Sequence, residues 1–140
     1  MESRFKKPNV VLMYADDMGY GDFGAFNDGY VRTPNLDQLM NESLCFSQHY
    51  SGSPVCSPAR AALLTGRYPH RTGAVTPQEV RGLDRIATSE ATIGDEFKAA
   101  GYATGMVGKW HNGALDDRYH PNARGFDEFG GFSRRLGRLL

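Results

Sequence analysis

Long apolar runs, net charge, cysteine pairs and internal repeats are all scarce in this 140-residue chain, and each shortage removes a class of function. No apolar stretch approaches the roughly 20 residues that cross a bilayer, so a membrane-spanning reading falls away. Sixteen basic residues face 16 acidic ones, a balance that offers no field to nucleic acid or to an anionic membrane surface. Two cysteines, Cys45 and Cys56, are too few for a disulfide framework. One bridge between them and a buried thiol at Cys45 both stay open. The start, "MESRFKKPNVVLMYADD", has a basic patch but no apolar segment leading to a small-residue cleavage site. As written the chain is therefore expected in the cytoplasm, or in the periplasm or outside the cell if a leader has been lost. Glycine and proline, by contrast, are plentiful: 17 and 7 residues, against an ordinary combined share of about 12%. The excess implies long loops on a regular frame, where sites commonly lie. The length suits one modest core.

The frame reads as α/β. "NVVLMYA" (9–15) is a continuous apolar, β-branched run, the pattern of a strand buried on both faces. It ends at Asp16-Asp17 and a glycine-rich stretch. Thr33-Pro34 opens a helix with Leu36, Leu39 and Met40 on one side. "SLCFSQHY" (43–50) reads as a second strand. A short helix over 59–65 is stopped by Gly66, and another begins at the Thr92 cap and ends at Gly101. "ATGMVG" (103–108) is then a short inner strand that runs into "KWHNG". This alternation predicts a parallel sheet with helices on both faces.

Ligands in such sheets bind beyond the carboxyl ends of the strands. Three polar clusters follow predicted strand ends: Asp16-Asp17, the loop around Cys56, and Lys109 with His111. Adjacent carboxylates repel, and a hard divalent cation such as Ca²⁺ or Mg²⁺ relieves that; an acidic turn is the plain alternative. Pro54 and Pro58 stiffen the backbone around Cys56, and a following helix would aim its N-terminus at anything bound there. Arg60 adds a planar cation suited to tetrahedral oxyanions. A cysteine nucleophile, a redox thiol and a buried structural cysteine all fit these residues. None explains the nearby hard-metal carboxylates, since a hard cation pairs poorly with a soft thiolate. An oxygen nucleophile fits better. Lys109 and His111 alone read equally as a solvated surface turn beside a packed Trp110. His70 reads as a brace behind the loop, His120 as a turn residue, and Phe126, Phe129 and Phe132 as packing.

"CSPARAALLTGRYPHRTG" resembles the signature of the type I sulfatases, Cys-x-Pro-x-Arg followed by Leu-Thr-Gly-Arg. "PNVVLMYADDMGYGDFGAFN", "TPNLDQLMNES" and "GYATGMVGKWHNG" resemble the same family in the same order, so the likeness runs from 8 to 132. It implies the alkaline-phosphatase-type α/β fold, here as the N-terminal part of a catalytic domain over 1–132. It also implies that a formylglycine-generating maturation enzyme converts Cys56 to an aldehyde, Cα-formylglycine, with Pro58 and Arg60 as recognition positions. One hydroxyl of the hydrated aldehyde would attack the sulfur of a sulfate ester and expel the alcohol. Loss of the second hydroxyl's proton would restore the aldehyde and eject sulfate. By the same resemblance Asp16, Asp17 and the modified Cys56 are ligands of one Ca²⁺ ion. Arg60 holds the hydrate, Lys109 contacts the sulfate oxygens, and His111 bonds the hydrate or takes a proton.

Several features depart from the pattern. Ala59 stands where many relatives have Ser, and Asn112 where Leu is common. The family's remaining metal ligands, an Asp followed by Asn or His, and a further His and Lys near the sulfate have no counterpart in 113–140; Asp116-Asp117 is a loop pair. The last residues, "SRRLGRLL" (133–140), leave the family-like text and read as a shifted frame or premature stop. The expected function is hydrolysis of sulfate esters, incomplete in 140 residues. Hydrolysis of phosphonate or phosphate esters through the same aldehyde, and a remnant without turnover, are the alternatives.

Overall fold

A computed structural model describes residues 6–132; the 133–140 tail lies outside the described residues. The described residues fall into two compact units, one within 6–48 and one within 49–132.

In the first unit, residues 9–15 run without regular hydrogen bonding, and their apolar side chains are exposed, Val11 at 82%. The doubly buried strand expected here is not formed. A β run needs a neighbour to take up its backbone groups, and no strand lies among the described residues of this unit. Asp16 and Asp17 follow in a bend, Asp17 in the left-handed region at φ 59°. Two 3₁₀ turns, Tyr20–Asp22 and Gly24–Phe26, come next, and Tyr20 stacks on Phe26 at 4.0 Å. Helix α1 (Pro34–Asn41) opens on its proline as read. Thr33 serves the loop as well as the helix: its hydroxyl accepts from the Gly24 N–H (2.7 Å) and donates to Asp37 Oδ1 (2.8 Å). The segment 43–50, read as a second strand, is irregular with Leu44 80% exposed, again lacking a strand to pair with. Cys45 is an exposed free thiol, which corrects both the buried and the disulfide readings.

In the second unit, helix α2 spans Cys56–Thr65 and stops at Gly66, whose φ of 65° is open to glycine at little cost. It starts three residues earlier than the reading from Ala59. Pro58 falls in its first turn, where a missing N–H leaves no hydrogen bond unmade. Helix α3 (Pro69–Thr72) is one turn. Helix α4 (Ile93–Ala99) has the expected cap: Thr92 Oγ1 accepts from Asp95 N (3.3 Å), and Asp95 Oδ2 accepts from Thr92 N (2.8 Å). Strand β1 (Gly105–Lys109) pairs in parallel with β2 (Glu128–Phe132), Gly105 opposite Glu128 and Lys109 opposite Phe132. β2 was read only as aromatic packing. Its Gly131 admits no side chain, because the Gly108 carbonyl occupies the place a Cβ would take. Val107 is 90% exposed, so the expected inner strand β1 is an edge among the described residues. The fold is α/β with a parallel pair.

Ala61, Leu64, Ala74, Ile86, Trp110 and Phe126 form the core, with Ile93, Met106 and Phe129 against it. Trp110 is fully buried, meets Phe126 edge to face at 6.2 Å, and donates its indole N–H to the Tyr119 carbonyl at 2.8 Å. Arg124, 3% exposed, donates to the carbonyls of Ile86, Ala87 and Glu90 and so fastens the segment that carries Ile86. Trp110→Ala is expected to destabilise the second unit by about 3–5 kcal/mol in urea titrations followed by circular dichroism.

Candidate active site

Cys56 is the first residue of α2, behind an extended Val55 (φ −127°, ψ 156°). It is half-buried, among the free N–H groups and partial positive charge of the helix start rather than in a loop ahead of it. The next residues, Ser57, Pro58 and Ala59, are buried. Ser57 donates its hydroxyl to the Asp84 carbonyl at 2.5 Å, which pins the first turn of α2 to a segment 27 residues away.

One helical turn after Cys56, Arg60 shares its face of the helix. Its Nη1 donates to the Lys109 carbonyl at 2.6 Å, joining α2 to the last residue of β1. The side chain of Trp110 is drawn into the core, and the backbone then turns sharply at His111, which has φ 53°. A non-glycine residue held in that region stores strain that the surrounding packing must offset.

His111 is 4% exposed. Its Nε2 lies 3.1 Å from the Pro77 carbonyl, which only accepts, so Nε2 carries the proton. In the neutral ring Nδ1 is then a bare lone pair, buried and without a hydrogen-bond partner among the described residues. Burial lowers the His111 pKa below its ordinary 6.5, and the nearby charges of Lys109 and Arg60 lower it further. The Pro77 carbonyl and the Asp84 carboxylate oppose them. The result is a neutral imidazole with an available base, beside two cations.

The structure thus brings Arg60, Lys109 and His111 together, with Cys56 on the helix that carries Arg60. Asp16 and Asp17 belong to the first unit, and both are exposed. They suit Ca²⁺ in kind, as hard oxygen donors, but not in number, because the ion takes six to eight oxygens. Among the described residues no three His, Cys, Asp or Glu side chains gather around a common metal position. His70 stacks on Tyr68 at 5.8 Å. His120 accepts from Asn122 N (3.4 Å) at the start of a 3₁₀ turn, as a turn residue should. Asp116 caps a 3₁₀ turn and is held to a pKa of about 2 by hydrogen bonds from Arg118.

The sequence reading missed Ser57 and Asp84, and took Asn112 only as a departure from the family pattern. Ser57 was visible only as the neighbour of Cys56, and Asp84, in "GLDRI", carries no local signal. Asn112 is fully buried, donates to the Trp110 carbonyl at 3.1 Å, and leaves its Oδ1 without a partner among the described residues.

Cys56 opens a helix whose Arg60 bonds the last residue of a parallel strand, on an α/β frame. The family model described as Sulfatase matches residues 8–135, and the chain belongs to the sulfatase family. It is 46% identical over 134 residues to N-acetylgalactosamine-6-sulfatase of Homo sapiens, covering 89% of this chain and 25% of that protein. To Arylsulfatase H of Canis lupus familiaris it is 42% identical over 141 residues, covering 92% of this chain and 25% of that protein. The crystal structure of Ps i-CgsB superposes with a TM-score of 0.85 at 42% identity, over 93% of this chain and 29% of that one. BT4656, solved in complex with D-Glucosamine-2-N, 6-O-disulfate, gives a TM-score of 0.74 at 28% identity, over 89% of this chain and 23% of that one. The chain therefore spans about a quarter of the length of the curated relatives it matches. Its fold is that of the sulfatases.

Two outcomes follow from this geometry. Because the folded pKa of His111 is lowered, the unfolded chain binds the proton more readily. The His111 contribution to stability is thus present above pH 6.5 and lost as pH falls through the lower folded value. Melting temperature should drop on acidification below pH 6.5, and His111→Asn should flatten that limb. In calorimetry, the 140-residue chain should bind Ca²⁺ with a Kd weaker than about 10⁻⁴ M; tight binding would show that the oxygen count above is wrong.

Proposed function

We propose that this chain carries part of the active site of a sulfuric ester hydrolase, with Cys56 as the precursor of a formylglycine. The observation that supports this reading most is the Arg60–Lys109 bond, which ties Lys109 to a cation one helical turn from Cys56. An aldehyde at position 56, once formed and hydrated, supplies an oxygen nucleophile. Asp16 and Asp17 would be among the ligands of a Ca²⁺ ion, which would supply electrostatic polarisation.

The chain's own residues do the rest. Arg60 offsets negative charge at the start of α2. Lys109 binds the sulfate oxygens and favours the transition state, in which charge on the departing group grows. His111, neutral and with Nδ1 bare, receives the proton that the nucleophilic oxygens give up. The buried floor of Ser57, Pro58, Ala59 and Trp110 keeps water from one side of the site. The substrate is a sulfate ester, and the maturation enzyme is the protein partner. The relatives' names and the disulfated sugar bound to BT4656 favour S–O over P–O chemistry. No helix among the described residues is long and apolar enough to cross a membrane.

Peptide mass spectrometry across residues 53–67, after co-expression with a formylglycine-generating enzyme, tests the reading. Conversion of the Cys56 thiol to the aldehyde is the expected result. A thiol that persists beside a competent maturase would return Cys56 to thiol chemistry or to no chemistry.

A further inference from the structure

Asp84 is a buried carboxylate, 1% exposed, and no step above uses it. Its main-chain carbonyl accepts the Ser57 hydroxyl at 2.5 Å, which sets residue 84 against the first turn of α2, beside Cys56. Among the described residues its side chain meets Arg85 Nε at 3.4 Å through Oδ1, and the Arg85 guanidinium lies over the Tyr119 ring at 5.1 Å. The charge of Asp84 also acts on His111, against the effects of Lys109 from β1 and Arg60 from α2. A buried carboxylate is costly to keep unless it is well paired. Anion binding alone gives no reason to place one here, where it weakens attraction for any anion.

Charge number supplies the reason. A sulfate ester carries one negative charge, whereas inorganic sulfate and, near pH 8, phosphate monoesters carry two. A fixed negative charge repels a dianion twice as strongly as a monoanion at the same place. We propose that Asp84 is a specificity-determining residue that narrows the preference of the Arg60–Lys109 site for dianions over monoanions. It thereby favours entry of a sulfate ester, departure of product sulfate and rejection of phosphate monoesters. The inference rests on the anion-site reading of the preceding section.

Calorimetric titration of the 140-residue chain with methyl sulfate and with inorganic sulfate at pH 8 tests it. The wild-type chain should prefer sulfate over methyl sulfate by a smaller factor than the Asp84→Asn chain does. Asp84→Asn should tighten sulfate about tenfold and methyl sulfate about threefold, and Asp84→Glu, which keeps the charge, should leave the ratio unchanged. A larger shift for methyl sulfate than for sulfate in Asp84→Asn would overturn the proposal. So would equal shifts of both ligands in an Asp84→Asn chain with native circular dichroism. Binding of neither ligand by the wild-type chain would sink the anion-site reading itself, and this inference with it.

Discussion

A hydrogen bond from the Arg60 guanidinium to the Lys109 carbonyl at 2.6 Å ties two cationic residues together against their mutual repulsion. Such a charge-assisted bond contributes about 1.5–3 kcal/mol, enough to fix a side chain but not to assemble a fold. Its ends must already be close. On the α2 side, the Ser57–Asp84 bond and the burial of Pro58 and Ala59 fix the first turn. On the β1 side, Trp110 fills the core directly after Lys109. Polar chemistry here is held in position by apolar packing one residue away.

The same packing accounts for the strain at His111. A left-handed backbone at a bulky residue is unfavourable by about 1–3 kcal/mol. It persists because Trp110 before it and Asn112 after it are both fully buried. Between two anchored neighbours, the imidazole is forced into a buried slot where one nitrogen meets the Pro77 carbonyl and the other is left bare. Function at this position is thus a by-product of core registry on either side.

Local signals in the sequence revealed what local physics determines. The Pro34 start of α1, the Gly66 stop of α2, and the Thr92 cap with the Gly101 stop around α4 all depend on nearest-neighbour chemistry, and all formed as read. Strand readings fared worse, because a strand exists only with a partner. The apolar run 9–15 has none among the described residues of its unit. By contrast β2, written Glu-Phe-Gly-Gly-Phe, looks like a turn and becomes a strand because Gly131 lets β1 approach. Within the candidate site, Cys56, Arg60, Lys109 and His111 were singled out by strand-end position and family resemblance, and the structure brings Arg60, Lys109 and His111 together. Ser57 and Asp84 were not singled out, since the bond between them links positions 27 apart that no short pattern joins.

The buried first turn of α2 also sets an order of events. Pro58, a position the family resemblance marks for recognition by the maturation enzyme, is buried once α2 docks. A modifying enzyme that must grip this proline can do so only while the chain is still open. Residues 84 and 109, which bond Ser57 and Arg60 of this helix, emerge later in synthesis than the cysteine that opens it. On the proposed reading of Cys56, maturation would then be a race against the chain's own closure. A variant that folded faster would run the risk of sealing in an unconverted thiol.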